Sequence, residues 1–177
     1  MSRVARMYAD HRGVLDYLSD QQQASHHATL QITLPKVLLL AAASEFEDRV
    51  CQALRDHISE NTLDSKIVDL VDQSAIRRKY HTLFNWDTRN AQQFWALFGS
   101  EYKAGMKKYC RDDPDLPRYI SAFMELGSLR NNMVHNNYAS FVLDKTLAEV
   151  YELYELGDLF VKQIPELLKL SFKEAEE

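Results

Sequence analysis

Glycine and proline, the residues that most readily interrupt regular structure, occur only 5 and 4 times in 177 residues. So few breaks leave room for few elements, each of them long, and long elements with periodic apolar residues are helices. The chain therefore predicts an all-α fold. Val4, Met7, Tyr8, Val14, Leu15 and Leu18 fall at helical spacing, and Gly13 weakens that first helix without ending it. Gln21 to Leu34, polar and then rich in Thr and Ile, reads as a loop or the frayed end of the first helix. Pro35 suits the first turn of a second helix, where its missing N–H costs nothing, and that helix runs to Ser59. Val37 to Ala43 is apolar all round and so belongs at the centre of a core, with Phe46, Val50 and Leu54 continuing on one stripe.

Downstream of a break at Ser59 to Thr62, either Thr62 or Asp64 can cap a short helix carrying Ile67, Val68, Leu70 and Val71. Ala91 to Phe98 predicts another helix closed by Gly99, and Ser100 caps one from Glu101 to Cys110. Leu116-Pro117 launches a helix with Met124, Leu126, Leu129 and Met133 on its apolar side, ended or loosened at Asn136-Asn137. A last long helix from Asp144 places Leu147, Val150, Tyr151, Tyr154, Leu159, Phe160, Ile164 and Leu168 at helical spacing. Pro165 should kink it, and Lys169 to Glu177 should fray. The expected architecture is one domain over residues 1–177: an antiparallel bundle of the second, Pro117 and last helices, with the Ala91 to Cys110 helices packed at its side.

Several kinds of chemistry are poorly served by this sequence. No Gly-x-Ser-x-Gly elbow, Gly-rich phosphate loop or paired-Cys metal site occurs, so neither a cofactor nor a metal is implied. Cys51 and Cys110 make no disulfide framework, which fits a reduced, cytoplasmic protein. The start carries Arg3 and Arg6 but no apolar signal region, and Val37 to Ala43 is too short to span a bilayer, so no membrane role is expected. His26-His27 reads as solvated loop, since adjacent residues point to different sides of a helix and no Cys or carboxylate neighbours them. Glu45, Glu47 and Asp48 are either a solvated acidic face beside Arg49, the reading preferred, or a metal-binding or acid/base pair. Glu47 stands apart, because from a central helix it can reach Arg130 and orient it through an ion pair.

With a formal net charge of −5, binding to a polyanion needs a local positive surface. Arg77, Arg78 and Lys79, followed by Tyr80 and His81, form the most basic run, able to hold RNA backbone and stack a base. Lys103, Lys107 and Lys108 make a second candidate patch, extended by Arg111. Solvated helix faces are the competing explanation for both.

The stretch Ser128 to Ser140, SLRNNMVHNNYAS, is the one with chemistry written into it. Asn is a poor helix former, so its density here reflects something other than helix stability. Arg130 offers a fork of donors that matches two phosphate oxygens, and His135 titrates near neutral pH. Asn131 and Asn132 supply amide hydrogen bonds to an imidazole, a phosphate or a 2′-OH. On one ideal helix Arg130 and His135 lie about 140° apart, so Arg130 must reach round, the helix must loosen, or a second chain must complete the site. The bland alternative is a surface Arg and a hydrogen-bonded His.

Arg130, a polar residue and His135 five positions on resemble the Arg-x4-6-His signature of the HEPN superfamily, small all-helical proteins that include metal-independent ribonucleases of toxin–antitoxin and phage-defence systems. The Arg-Asn-x-x-Val-His ending resembles the RiboL-PSP type. The resemblance implies Arg130 and His135 as catalytic residues, with Asn131 as the polar residue that often follows the Arg. It implies RNA, tRNA among the candidates, cut by its own 2′-OH to leave a 2′,3′-cyclic phosphate, in a cleft across a two-fold homodimer. A neutralising antitoxin or regulatory partner follows from the harm a free toxin would do. The other reading it leaves open is a non-catalytic binding, adaptor or antitoxin module.

Overall fold

The structure of the chain, a computed structural model, describes residues 2–77 and 79–172. Every regular element among the described residues is helical: α1 Arg3–Asp20, α2 Ala24–Asn61, α3 Ser65–Val71, α4 Tyr80–Leu83, α5 Gln92–Ala96, α6 Ser100–Asp112, α7 Leu116–His135 and α8 Leu147–Lys169. A π-helical turn, Asp72–Ile76, continues α3. The three long helices α2, α7 and α8 pack on one another as expected, and α1 lies along α2.

The loop expected at Gln21 to Leu34 is not there. Only Gln21 to Gln23 separate α1 from α2, with Gln22 in the left-handed region at φ 55°, and α2 begins at Ala24. His27, Leu30, Leu34 and Val37 recur at helical spacing and are half-buried, so tertiary packing outweighs the poor propensity of the Thr-rich stretch. Thr29 and Thr33 donate their hydroxyls to the carbonyls of Ser25 and Thr29, at 3.0 and 2.9 Å, satisfying themselves within the helix. Pro35 consequently lies inside α2 rather than in its first turn. The bond it removes would end at the carbonyl of Gln31, an exposed residue that water can serve.

Smaller corrections have local causes. Gly99, at φ 104°, is the N-cap of α6, so Ser100 is the first helical residue rather than the cap. The last helix starts at Leu147, not Asp144, because Thr146 and Glu149 form a reciprocal capping box. Pro165 is carried within α8, which ends at Lys169. The fraying expected at residues 173–177 lies outside the described residues.

The core is built around Phe123 of α7. Its ring meets Phe46 of α2 at 5.6 Å between centroids, Phe160 of α8 at 5.1 Å, Phe84 at 5.0 Å and Trp86 at 5.7 Å. Leu38, Leu39 and Ala42 are wholly buried, as the all-apolar run predicted. Gly157 lets α8 come close: a Cβ there would sit 2.9 Å from Phe46 and 3.2 Å from the Phe123 backbone. The side helices join through Trp95, whose ring stands edge-on to Phe160, and through Tyr102, whose hydroxyl donates to the Leu167 carbonyl at 2.6 Å. Together these contacts fix the rotation of α7, and rotation decides which residues its next two turns present.

Candidate functional site

Seven residues beyond Phe123, nearly two full turns, α7 presents Arg130 on the same face. Phe123, Leu126, Gly127, Arg130, Asn131, Val134 and His135 form one stripe lining a cleft of about 450 Å³. The opposite wall consists of Ala43, Phe46 and Glu47 from α2, with Tyr80, His81 and Trp86 from α4 and the segment after it. The stripe covers about 180° of the helix, wide enough to hold both Arg130 and His135 despite the angle between them. The helix stays regular through His135, and the chain turns extended at Asn136. A second chain is not required to bring the two residues to one cleft.

The Arg130 guanidinium donates from Nη1 to Asn131 Oδ1 at 3.0 Å, so the amide steadies the arginine. Glu47 faces the same cleft, but the ion pair expected between it and Arg130 is not formed; the arginine turns to Asn131 instead. Asn132 is exposed and outside the lining, one residue and about 100° beyond Asn131. His135 is exposed at the mouth. The segment that follows is tied to α2 by Lys36, a buried lysine that donates to the Tyr138 carbonyl at 3.3 Å and lies 5.3 Å from the centre of that ring.

Sequence reasoning marked Tyr80 and His81 only as part of a basic run, and missed Trp86. The structure makes all three a wall of the cleft. Trp86 donates from Nε1 to the His81 carbonyl at 3.0 Å, and Gln93 donates from Nε2 to the Thr82 carbonyl at 2.8 Å, so α4 is pinned at its C-terminal end. Gly127 admits the indole: a Cβ there would lie 2.0 Å from the Trp86 ring. Burial pushes the Tyr80 phenol well above its usual range, with the Glu47 charge adding to the shift and Arg130 opposing it. The signal that could have found this wall was an aromatic-rich segment, Tyr80 to Trp86, facing a glycine on the motif helix.

The basic candidates are dispersed. Arg77 is spent in part on Asp72 at 2.6 Å, where Arg55 also binds at 2.5 Å. Arg78 lies outside the described residues. Lys79 is exposed immediately before the cleft wall. Lys103 and Lys107 line a separate shallow depression with Asn90, Gln92 and Ser100, and Lys108 is exposed beside them. Glu45, by contrast, is structural: it accepts the Tyr154 hydroxyl at 2.6 Å and lies 3.6 Å from Arg49. His26 and His27 sit on α2, and among the described residues no three His, Cys, Asp or Glu side chains are grouped as a metal site. No helix among the described residues is long and apolar enough to cross a membrane.

Among the described residues the chain is helical and without strands, and it turns Arg130, Asn131 and His135 from one central helix into a single cleft, an arrangement that fits a HEPN-type domain. The family model RiboL-PSP-HEPN matches residues 9–170, and the chain belongs to that family. Membership suggests a nuclease-type or RNA-related role. Neither a curated protein nor a solved structure matches the chain.

Proposed function

We propose that the chain is a metal-independent endoribonuclease of the toxin–antitoxin or phage-defence kind, with Arg130 and His135 as its catalytic residues. The observation that carries this reading is their convergence, with Asn131 between them, on one aromatic-lined cleft. At about 450 Å³ the cleft falls in the range of small-molecule sites and has room for one nucleotide. The half-buried Tyr80 and Trp86 offer aromatic surface against which an unstacked base can lie.

The reaction is transesterification. The 2′-oxygen loses its proton and attacks phosphorus, the bond to the 5′-oxygen breaks, and that oxygen takes up a proton. A 2′,3′-cyclic phosphate and a 5′-hydroxyl result. Charge growing on the phosphorane is met by Arg130, held in place by Asn131. His135 moves a proton, since an imidazole works in either direction near neutrality. A homodimer, resting on the family likeness, and a neutralising antitoxin or regulator, resting on the harm a free toxin would do, complete the proposal.

The test is incubation of purified protein with total RNA in EDTA. Cleavage with cyclic phosphate ends is expected, and His135→Ala and Arg130→Ala should each lower it about 10²–10⁴-fold. Because His135 is exposed, its removal should leave the melting temperature unchanged. A His135→Ala protein that cuts RNA as fast as the parent would leave a helical binding module.

A further inference from the structure

The reaction proposed above leaves Glu47 without a task. It faces the cleft from α2, and among the described residues no hydrogen bond or ion pair occupies its carboxylate. Arg130 turns to Asn131, while Arg55 and Arg77, in the groove adjoining Glu47, both bind Asp72. We infer that Glu47 reads a guanine base held in the cleft beside the scissile phosphate, so that the substrate is RNA cut next to guanosine. The inference rests on the ribonuclease reading and deepens it by naming the base. It holds whether one copy or two build the proton-transfer machinery, because Glu47, Tyr80, Trp86 and Arg130 line one cleft of one chain.

A half-buried carboxylate is an awkward group in a cleft for a polyanion, since it repels phosphate and is poorly solvated while unpaired. Its place there makes sense where the bound molecule brings donors to it. A carboxylate accepts and cannot donate, and its two oxygens lie side by side. Guanine alone among the four bases presents two adjacent donors on its Watson–Crick edge, N1–H and the N2 amine. Uracil offers a single N3–H between two carbonyls, and adenine and cytosine each set an amine beside a ring nitrogen that bears a lone pair. The carboxylate therefore meets guanine through two parallel charge-assisted hydrogen bonds, and every other base turns at least one lone pair towards it.

The surroundings suit a flat base with its phosphate close by. Tyr80 and Trp86, 5.6 Å between ring centroids and inclined by 49°, supply half-buried aromatic surface in the same cleft as Glu47. The Tyr80 phenol feels the Glu47 charge and, in the opposite sense, the Arg130 charge, so both lie within electrostatic reach of one side chain. Burial pushes that phenol well above its usual range, which keeps it neutral and leaves Glu47 as the one acidic group among the described lining residues. A cleft of about 450 Å³ has room for one nucleotide, whose base and phosphate then meet the carboxylate and the guanidinium respectively.

The experiment sequences the cyclic-phosphate ends that the purified protein leaves in total RNA in EDTA. It then measures kcat/KM on oligoribonucleotides that differ only at the base beside the cut. Guanine is expected at one fixed position next to the cut, favoured about 10–100-fold over the other bases. Hypoxanthine in its place lacks the N2 amine and should lower kcat/KM about 10-fold. A guanine whose N7 is replaced by carbon keeps the whole Watson–Crick edge and should be cut like guanine itself. Glu47→Gln sets an amide N–H against a guanine donor, and should lower the ratio of guanine to adenine cleavage about 10–100-fold with an unchanged melting temperature. Equal cutting beside all four bases, or a preference for another base, would overturn the inference and leave the ribonuclease reading standing. So would a Glu47→Gln protein slowed by one factor at every base, which would make Glu47 a proton-transfer group instead. A wild type that cuts nothing, yet binds guanosine 3′-monophosphate more tightly than the other three nucleoside 3′-monophosphates by tryptophan quenching, would overturn the ribonuclease reading and uphold the base recognition. One that neither cuts nor discriminates would overturn both.

Discussion

Replacing Gly127 with alanine should destabilise the protein, although helix propensity alone predicts the opposite. Glycine in a helix interior costs about 1 kcal/mol relative to alanine, so on an isolated helix the change would stabilise. Here the new Cβ would lie 2.0, 2.3 and 2.8 Å from three atoms of the Trp86 ring. The indole must retreat by about 1.5 Å to reach ordinary van der Waals contact. That retreat stretches its hydrogen bond to the His81 carbonyl, now 3.0 Å, beyond useful length, at a cost of about 1 kcal/mol. It also disturbs ring contacts with Tyr80, Phe84 and Phe123, now 5.6, 5.1 and 5.7 Å between centroids, together worth about 2–3 kcal/mol. After the propensity gain, a net loss of about 2–3 kcal/mol remains, or about 5–10 °C in Tm for a chain of this size. Circular dichroism on heating measures the shift, and tryptophan emission should move to the red as the indole becomes wetter. RNA cleavage should fall as well, because Trp86 walls the cleft. A Tm that rises by 2–4 °C with unchanged emission would refute the packing and leave only propensity.

Other perturbations test separate parts of the structure. Asp72→Asn removes a nearly buried carboxylate that binds both Arg55 and Arg77; since those arginines are partly exposed, the loss should be about 1–3 kcal/mol by denaturant melt, and an unchanged midpoint would show the cluster to be idle. Hydrogen bonds from the Thr146 backbone and hydroxyl hold the Glu149 carboxyl below its ordinary value of 4.5. Its contribution is therefore fully present above pH 4.5 and lost as pH falls through the lower folded value. The Tm difference between wild type and Glu149→Gln should be constant above that pH and shrink below it; a difference that grows on acidification would contradict the capping box. Reversing Lys107 and Lys108 to Glu should weaken RNA binding and flatten its salt dependence, as filter binding at several salt concentrations would show; unchanged affinity would reduce that patch to solvated surface.

Much of the fold was legible because helical periodicity is a local property. The all-apolar run from Val37 to Ala43 and the stripe from Leu147 to Leu168 have one sensible use, and the structure packs them so apart from Leu159, which is exposed. The motif was legible for the same reason: Arg130, Asn131 and His135 lie close in sequence on a single element. Local preference misled where packing overruled it. The Thr-rich stretch before Pro35 looks like loop, and becomes helix only because α1 lies along it and half-buries His27, Leu30 and Leu34.

By itself, then, the sequence determined that the chain is helical, and it marked α7, with Arg130, Asn131 and His135, as the candidate site. Tertiary structure alone decided that the cleft has a second wall. Tyr80, His81 and Trp86 are about 40 to 50 residues from the motif, and nothing in either segment's periodicity links them. They meet because Phe123 locks the rotation of α7 among four aromatic rings and Gly127 leaves a gap that the Trp86 indole fills. Complementarity of that kind exists only between surfaces already folded, since an absent side chain carries no signal until another side chain occupies the space it left.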